Sequence, residues 1–310
     1  MIPNYQQLMR PVLAAARNGP RKISEVVDEI SDKLGLSQEE RERMLPSGQQ
    51  TTIANRVHWA RSYMKQAGLV RNIKRGWYEL TERGRSILND ESILLDAKYL
   101  ERFEEFQEFQ TRGKSNNGQP DAELDGDLAA DTGGTPDEKI QSAHQKLDEA
   151  LAASLLAAVR QASPAFFEQL IVDLFIAMGY GGTSADAGRA LGQSGDDGVD
   201  GVIDQDALGV DQIYLQAKRY QAGNGIGSSH IRDFFGALSL KRATKGIFVT
   251  TSHFSDAAKQ TARDIGQRIV LIDGPQLARL MIKHNIGCRE KSVIRIKQMD
   301  DAYFEEQEIS

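Results

Sequence analysis

Apolar residues recur every three or four positions through much of the first ninety residues, a spacing typical of amphipathic helices. Ser37 and Glu40 have the spacing of a capping box, which predicts a further short helix. Two short apolar runs surround a Lys74-Arg75-Gly76 turn and read as paired strands. Helices followed by a two-stranded hairpin predict a winged helix-turn-helix domain at residues 1–90. The predicted helices cover residues 5–18, 23–34 and 51–66, and the predicted strands cover 69–73 and 77–80.

A second patterned region begins at residue 138, with helices predicted at 138–161 and 164–178. The helix at 164–178 is apolar nearly all round, so we expect it to be buried on several sides. Later helices alternate with short apolar strands, as in an α/β core with a central mixed sheet. Residues 138–310 are therefore predicted to form one α/β domain. Residues 91–137 carry mostly polar and acidic residues and are predicted to be an acidic flexible linker, with a polar helix at residues 103–109 and the flexible stretch at 111–137.

The net charge of −6 hides an uneven distribution. Residues 50–90 carry eight basic and three acidic residues, whereas residues 91–138 carry thirteen acidic and four basic ones. A basic module beside an acidic tether fits a nucleic-acid partner better than the average charge implies. In a winged helix the last helix before the wing enters the major groove; a winged helix used for protein contact is the alternative. The candidate DNA-binding residues are Asn55, Arg56, Arg61, Lys65, Lys74 and Arg75.

Cysteine content and hydropathy indicate the compartment. The one cysteine, Cys288, excludes an internal disulfide framework and a multi-cysteine zinc site. No N-terminal apolar run follows a basic start, and no stretch approaches the roughly 20 apolar residues of a membrane helix. We therefore expect a soluble protein of the reducing cytoplasm.

The candidate chemistry lies in one predicted hairpin. Residues 213–219 alternate as a strand does, so Gln216 and Lys218 point to the same side. A short strand at 198–204 precedes it, and antiparallel pairing of the two strands brings Asp200 beside both side chains. A carboxylate, an amide and an ammonium group that converge suit Mg²⁺ and a phosphodiester. The alternative is a surface hairpin whose Asp200 and Lys218 are only solvated.

Three segments carry a resemblance to a known family. Gly195-Asp-Asp-Gly-Val-Asp-Gly201, then Gln216-Ala-Lys-Arg219, then Gly246-Ile-Phe-Val-Thr-Thr-Ser252 resemble the Mrr-type restriction endonucleases, a branch of the PD-(D/E)xK nucleases. That branch carries glutamine in place of the acidic residue of the last motif. Phe167-Glu168 and Met178-Gly179-Tyr180 extend the resemblance, which covers most of the chain.

The resemblance implies a restriction-endonuclease-like fold and a Mg²⁺-dependent endodeoxyribonuclease. The implied catalytic residues are Asp200, Gln216, Lys218 and Glu168, and the implied metal ligands are Asp200, Gln216, Ala217 and Glu168. It also implies a type IV restriction enzyme that cuts methylated double-stranded DNA, while double-strand cutting favours a homo-oligomer, a dimer or higher. A Glu168 that only borders the core remains an alternative. So do a repair or junction-cleaving nuclease of the same superfamily and a catalytically inactive DNA-binding regulator.

Overall fold

The computed structural model describes residues 1–112, 134–181, 198–206, 210–221 and 223–297. The chain divides into two compact units, residues 1–144 together with residues from 296 onward, and residues 145–295. Within the described ranges, no helix has the length and apolar content needed to cross a bilayer. The predicted domain limits of 1–90, 91–137 and 138–310 differ from these unit limits and stay predictions.

The first unit combines helices with a small antiparallel sheet of order β1-β3-β2. The predicted helices and both predicted strands of this region are confirmed, with ends shifted by a few residues. β1 escaped prediction because two residues are too short for any alternation. In chain order the elements are α1 (Tyr5–Ala15), β1 (Arg21–Lys22), α2 (Ile23–Lys33), α3 (Gln38–Glu42), α4 (Thr52–Gln66), β2 (Val70–Lys74), β3 (Trp77–Leu80), α5 (Glu82–Asn89), α6 (Ala97–Leu100) and α7 (Glu104–Arg112).

Caps and buried hydroxyls fix the local structure of this unit. The Ser37 amide donates to Glu40 Oε2 at 3.1 Å and the Glu40 amide to Ser37 Oγ at 3.3 Å, so the predicted capping box is confirmed. The buried Tyr78 hydroxyl of β3 donates to the Val12 carbonyl at 2.7 Å. This bond joins the sheet to α1 within a core formed by the apolar faces of α1, α2 and α4.

The described part of the predicted acidic linker is more ordered than the prediction allowed. Residues 91–112 contain α6 and α7, and their apolar side chains enter the core of the first unit. Leu100 and Phe106 are almost fully buried, and the Phe106 ring packs edge-on against Tyr63 of α4 at 5.6 Å. A few well-spaced apolar residues are enough to bury a helix whose remaining positions are charged. Residues 113–133 of the predicted linker lie outside the described residues.

The second unit is built on a four-stranded sheet of order β4-β5-β6-β7. β4 and β5 pair antiparallel, whereas β5, β6 and β7 run parallel, so the predicted mixed sheet of an α/β core is confirmed. One apolar cluster joins the sheet to α9 and α12, and another joins it to α10 and α11. The elements are α8 (Pro136–Gln161, beginning before residue 145), α9 (Pro164–Ala177), β4 (Gly201–Asp204), β5 (Gln212–Lys218), α10 (Ser228–Leu240), β6 (Lys245–Thr250), α11 (Asp256–Asp264), β7 (Arg268–Ile272) and α12 (Gly274–Lys283).

The prediction that the helix at 164–178 is buried on several sides is wrong. Phe167 and Phe175 of α9 are 1% exposed, but Phe166 is 55% exposed and Ile176 is 44% exposed. The covered part of α9 belongs to the apolar cluster with the sheet, α8 and α12, whereas Phe166 and Ile176 lie outside it. An apolar composition on all sides therefore does not by itself predict how many neighbours a helix has.

Candidate active site

The register of the β4–β5 hairpin sets the geometry of the candidate site. Ile203 pairs with Ile213 and Gly201 with Leu215, and the Asp200 amide donates to the Leu215 carbonyl at 2.8 Å. Asp200 thus extends the ladder by one residue before β4 begins. Gly195, Asp196 and Asp197, which precede it in the motif, lie outside the described residues.

The Asp200 carboxylate is held by the opposite strand. Its Oδ2 accepts a hydrogen bond from Gln216 Nε2 at 2.5 Å and another from the Ala217 amide at 2.8 Å. Gln216 is 3% exposed, whereas Asp200 is half-buried. The predicted juxtaposition of Asp200 and Gln216 is confirmed by these contacts. Lys218 follows as the last residue of β5 and is half-buried.

Glu168 stands on α9, whose start is defined by its cap. The Ser163 hydroxyl accepts from the Phe166 amide at 3.2 Å, and Pro164 occupies the first turn. After α9 ends, the Gly181 amide donates to the Asp204 carbonyl at 2.7 Å, which ties this chain segment to β4. Burial and the Asp200 carboxylate raise the pKa of Glu168, and the Lys218 ammonium partly offsets the rise. Glu168 therefore lies within electrostatic range of Asp200 and Lys218.

The donor set of this site fits Mg²⁺. Two carboxylates, Asp200 and Glu168, stand near the Gln216 amide, and Mg²⁺ in nucleic-acid enzymes is commonly held by one or two carboxylates, water and substrate phosphate. Among the described residues, no three His, Cys, Asp or Glu side chains are grouped as a metal cluster. A softer, ligand-rich site such as that of structural zinc is therefore not supported in this part of the chain.

The candidate DNA-binding residues divide into two groups. Asn55 and Arg56 were predicted on an open outer face of α4, and this placement is wrong. Asn55 is 3% exposed, and its side chain bonds Thr135 Oγ1 at 2.7 Å and Asp137 Oδ2 at 2.7 Å. Arg56 donates to Glu138 Oε1 from Nε at 3.0 Å and from Nη2 at 2.8 Å.

The remaining donors of Arg56 are also engaged. Its Nη1 donates to the Ile2 carbonyl at 2.7 Å and to the Pro3 carbonyl at 3.0 Å. The Trp59 indole donates to Asp137 Oδ2 at 2.9 Å, so three side chains of α4 hold the short acidic segment 135–138. The start of α8 is capped, since the Glu138 amide donates to Thr135 Oγ1 at 3.2 Å. This cap places the side chains of Asp137 and Glu138 against α4.

The second group of candidates lies at the tip of the β2–β3 hairpin and on α4. Lys65, Lys74 and Arg75 are exposed, whereas Arg61 is half-buried. Lys74 Nζ stands 4.7 Å from the centroid of the Trp77 ring, a cation–π contact that orients the side chain at the hairpin tip. On α4, burial and the Arg61 charge lower the pKa of His58 to about 4, so His58 is neutral at pH 7.

Sequence reasoning missed several residues that shape these sites. Trp59 and Thr135 complete the cover over α4, and no local pattern marks them because their partners are about eighty positions away. Thr250 and Thr251, which are fully buried beside β5, were also missed. Here the sequence did offer a signal, because hydroxyl groups at the end of an apolar strand are buried and need hydrogen-bond partners.

Comparison with known proteins places these residues in a family. A family model described as "Restriction endonuclease" matches residues 159–281, and one described as "Mrr N-terminal domain" matches residues 5–90. The "Type IV methyl-directed restriction enzyme EcoKMrr" of Escherichia coli (strain K12) is 33% identical over 313 residues. The alignment covers 98% of this chain and 99% of that protein.

Two solved structures are also similar over part of the chain. The "DNA modification-dependent restriction endonuclease AspBHI" has 19% identity and a TM-score of 0.34, covering 45% of this chain and 37% of its own. The "MspJI Restriction Endonuclease in Complex with 27-mer Oligonucleotide" has 24% identity and a TM-score of 0.27, covering 50% and 34%. Such low TM-scores carry no argument, so the family assignment stands on the sequence matches.

Proposed function

The chain belongs to the Mrr-type restriction endonucleases and is therefore an endodeoxyribonuclease, and from this premise we propose that it cleaves methylated double-stranded DNA as a type IV restriction enzyme. The methyl-directed relative supports the substrate class. We further propose that the enzyme depends on Mg²⁺, acts in the cytoplasm and assembles as a homo-oligomer of two or more chains. Cutting of both strands by chains that carry one hydrolytic site each favours the last point.

The observation that carries this proposal is the bonding of Asp200 to the opposite strand. Among described residues both hydrogen bonds to this carboxylate reach Oδ2, so Oδ1 is the oxygen that would hold a cation. Because Gln216 Nε2 donates to Asp200, the amide oxygen of Gln216 is the atom that remains to coordinate a cation. The proposed protein ligands are Asp200, the Gln216 side chain, the Ala217 carbonyl and Glu168.

Each residue then has a distinct task at the scissile phosphate. Bound Mg²⁺ supplies a Lewis acid for the phosphate and lowers the pKa of coordinated water. Lys218 orients the attacking water and offsets the negative charge that develops on the phosphate in the transition state. Glutamine at position 216 gives the site one negative charge fewer than a second acid would, so we expect weaker metal affinity and greater dependence on substrate phosphate for occupancy.

For DNA binding we propose a winged helix in the first unit, with the wing on the duplex. The exposed Lys65, Lys74 and Arg75 support phosphate contacts, with Arg61 beside them. Asn55 and Arg56, whose side chains bind the segment 135–138, would reach DNA only if that segment moved away. We therefore assign them the support of α4 in the proposed DNA-binding unit.

The test is plasmid cleavage with defined methylation, with and without Mg²⁺, beside unmethylated and four-way-junction DNA. We expect Mg²⁺-dependent cutting of the methylated plasmid, and Lys218→Ala should slow it by about 10²–10³-fold while DNA affinity changes only a few-fold. Lys245→Ala is the control, since Lys245 lies in the same sheet but pairs with Asp211 at 2.9 Å. Equal cutting of plain plasmid, or preference for the junction, would overturn the methylated-DNA proposal.

A further inference from the structure

A buried pair of threonines lies beside the last residue of β5. Thr250 ends β6 and pairs with Lys218 in the parallel register, and Thr251 follows it. Both are 0% exposed. A buried hydroxyl is costly without a hydrogen-bond partner, so the partners of these two groups indicate what they do.

Both threonines bond the main chain around Lys218. Thr250 Oγ1 donates to the Lys218 carbonyl at 2.8 Å, and the Thr251 amide reaches the same carbonyl at 3.3 Å. Thr251 Oγ1 donates to the Tyr220 carbonyl at 2.7 Å and accepts from the Tyr220 amide at 2.8 Å. These bonds bracket residues 218–220, which are the last residue of β5 and the two residues that follow the end of its ladder.

The threonines are themselves held in place. Arg160 of α8 donates to the Thr251 carbonyl from Nε at 3.1 Å and from Nη2 at 2.7 Å. A Cβ on Gly274 would lie 2.6 Å from the same carbonyl oxygen, so α12 approaches Thr251 as closely as a glycine permits. The arrangement is thus rigid on the side away from Lys218, as a support for a reacting group must be.

We infer that Thr250 and Thr251 are positioning residues that fix the main chain of Lys218 and thereby aim its ammonium group at the scissile phosphate. Neither hydroxyl contacts substrate; each acts through Lys218. The inference rests on the proposed catalytic role of Lys218. Small displacements of a catalytic group are expensive, because a misplacement of about 1 Å costs on the order of 10²-fold in rate.

The test uses substitutions that separate shape from hydrogen bonding. Thr250→Val and Thr251→Val keep the side-chain shape but remove the hydroxyl, whereas Thr250→Ser and Thr251→Ser keep it. We expect each valine variant to lower kcat for Mg²⁺-dependent cleavage by about 10- to 100-fold, with KM and DNA affinity within a few-fold. The serine variants should recover most of the rate. Thr261→Val is the control, because the Thr261 hydroxyl bonds the Ala257 carbonyl of its own helix at 2.8 Å.

A double-mutant cycle decides whether the threonines act through Lys218. In a Lys218→Ala background, Thr251→Val should cause no further loss in single-turnover rate, because the group it positions is absent. An additive loss would overturn the positioning role while leaving Lys218 in the mechanism. Unimpaired cutting by Lys218→Ala alone would instead overturn the proposed catalytic role of Lys218 and the inference together, while the cleavage of methylated DNA would stand. Folding of each variant is checked by thermal unfolding, and valine variants that fold and cut normally would refute the inference.

Discussion

Polar side chains are held in opposite ways at the candidate active site and on the surface of α4. At the active site, Asp200 and Gln216 meet across one hairpin and are 16 residues apart in the chain. On α4, Asn55 and Arg56 are bound by acids 82 residues further on, and all their described contacts are with the protein itself. Among the described residues, the first arrangement leaves Asp200 Oδ1 for the proposed cation, whereas the second engages its polar atoms in contacts within the fold.

The contrast shows that side-chain polarity is a poor guide to ligand binding on helices. A fully paired buried network stabilises the structure that contains it, and breaking one member leaves its partners without bonds. Arg56 is such a member, with donors on Glu138, Ile2 and Pro3. The wing residues Lys74 and Arg75, which are exposed, are the better candidates for a ligand that arrives from solution.

The largest expected effect comes from removing the carboxylate of the active site. Asp200→Asn should lower Mg²⁺-dependent cleavage by about 10²–10³-fold or more, because it deletes a negative ligand oxygen, and high Mg²⁺ should restore it poorly. The readout is the single-turnover rate as a function of Mg²⁺ concentration.

Asp204→Asn is the matched control for that experiment. Asp204 accepts from Gln212 Nε2 at 3.1 Å across the other end of the same hairpin, so the two variants remove the same type of contact. We expect the control to cut within a few-fold of the wild type. Equal damage by the two substitutions would mean that the hairpin, rather than a cation site, is what Asp200 supports.

A smaller effect concerns pH and the packing of α4. The pKa of His58 is lowered to about 4 from an ordinary value near 6.5, so the unfolded chain binds its proton first as the pH falls. Stability contributed by neutral His58 is complete above about pH 6.5 and is lost progressively toward pH 4. The loss is on the order of 2 kcal/mol after allowance for the part of the ring near solvent.

Tryptophan fluorescence measures this effect selectively, because both tryptophans, Trp59 and Trp77, belong to the first unit. Urea unfolding followed at pH 7.5, 6 and 5 should show a decline in the free energy of unfolding that is shallower in His58→Gln. An identical decline in both proteins would show that the pKa of His58 is the same in the folded and unfolded states, and so is not lowered by folding.

The smallest expected effect is on DNA affinity. The triple variant Lys65→Gln/Lys74→Gln/Arg75→Gln should weaken DNA binding about 10-fold. It should also reduce the slope of log K against log salt by roughly 2–3, because about one fewer counterion is released on binding for each phosphate contact that is lost. Arg56→Gln should change this slope little but lower the stability of the first unit. If Arg56→Gln reduced the salt slope as much as the triple variant does, DNA would bind the covered end of α4.

How much could be predicted from the sequence differs between the candidate active site and α4 for a physical reason. Strand alternation has a period of two, so the side of β5 that carries Gln216 and Lys218, and the partner strand carrying Asp200, followed from local pattern. The helical pattern identified which face of α4 is polar. It held no information about Thr135 and Asp137, which cover part of that face from far along the chain.

Other elements had too little local signal. β1 contains two residues, and its pairing with Trp77 and Tyr78 depends on the fold rather than on its own composition. The burial of Phe106 in a mostly charged stretch and the exposure of Phe166 in a mostly apolar one are set by neighbouring elements. Tertiary packing overrides composition in both cases.

The separation of contacts along the chain also has a consequence for the order of folding. The Asp200–Gln216 pair closes within a hairpin, whereas the Thr250–Lys218 bond joins residues 32 positions apart and needs the parallel β5–β6 pairing. Local hairpins close faster than parallel pairings that span a helix. During synthesis the carboxylate–amide pair can therefore form before β6 has been made, while Lys218 acquires its support only afterwards. The proposed support of Lys218 can thus form after the hairpin but before α11, β7 and α12 have been made.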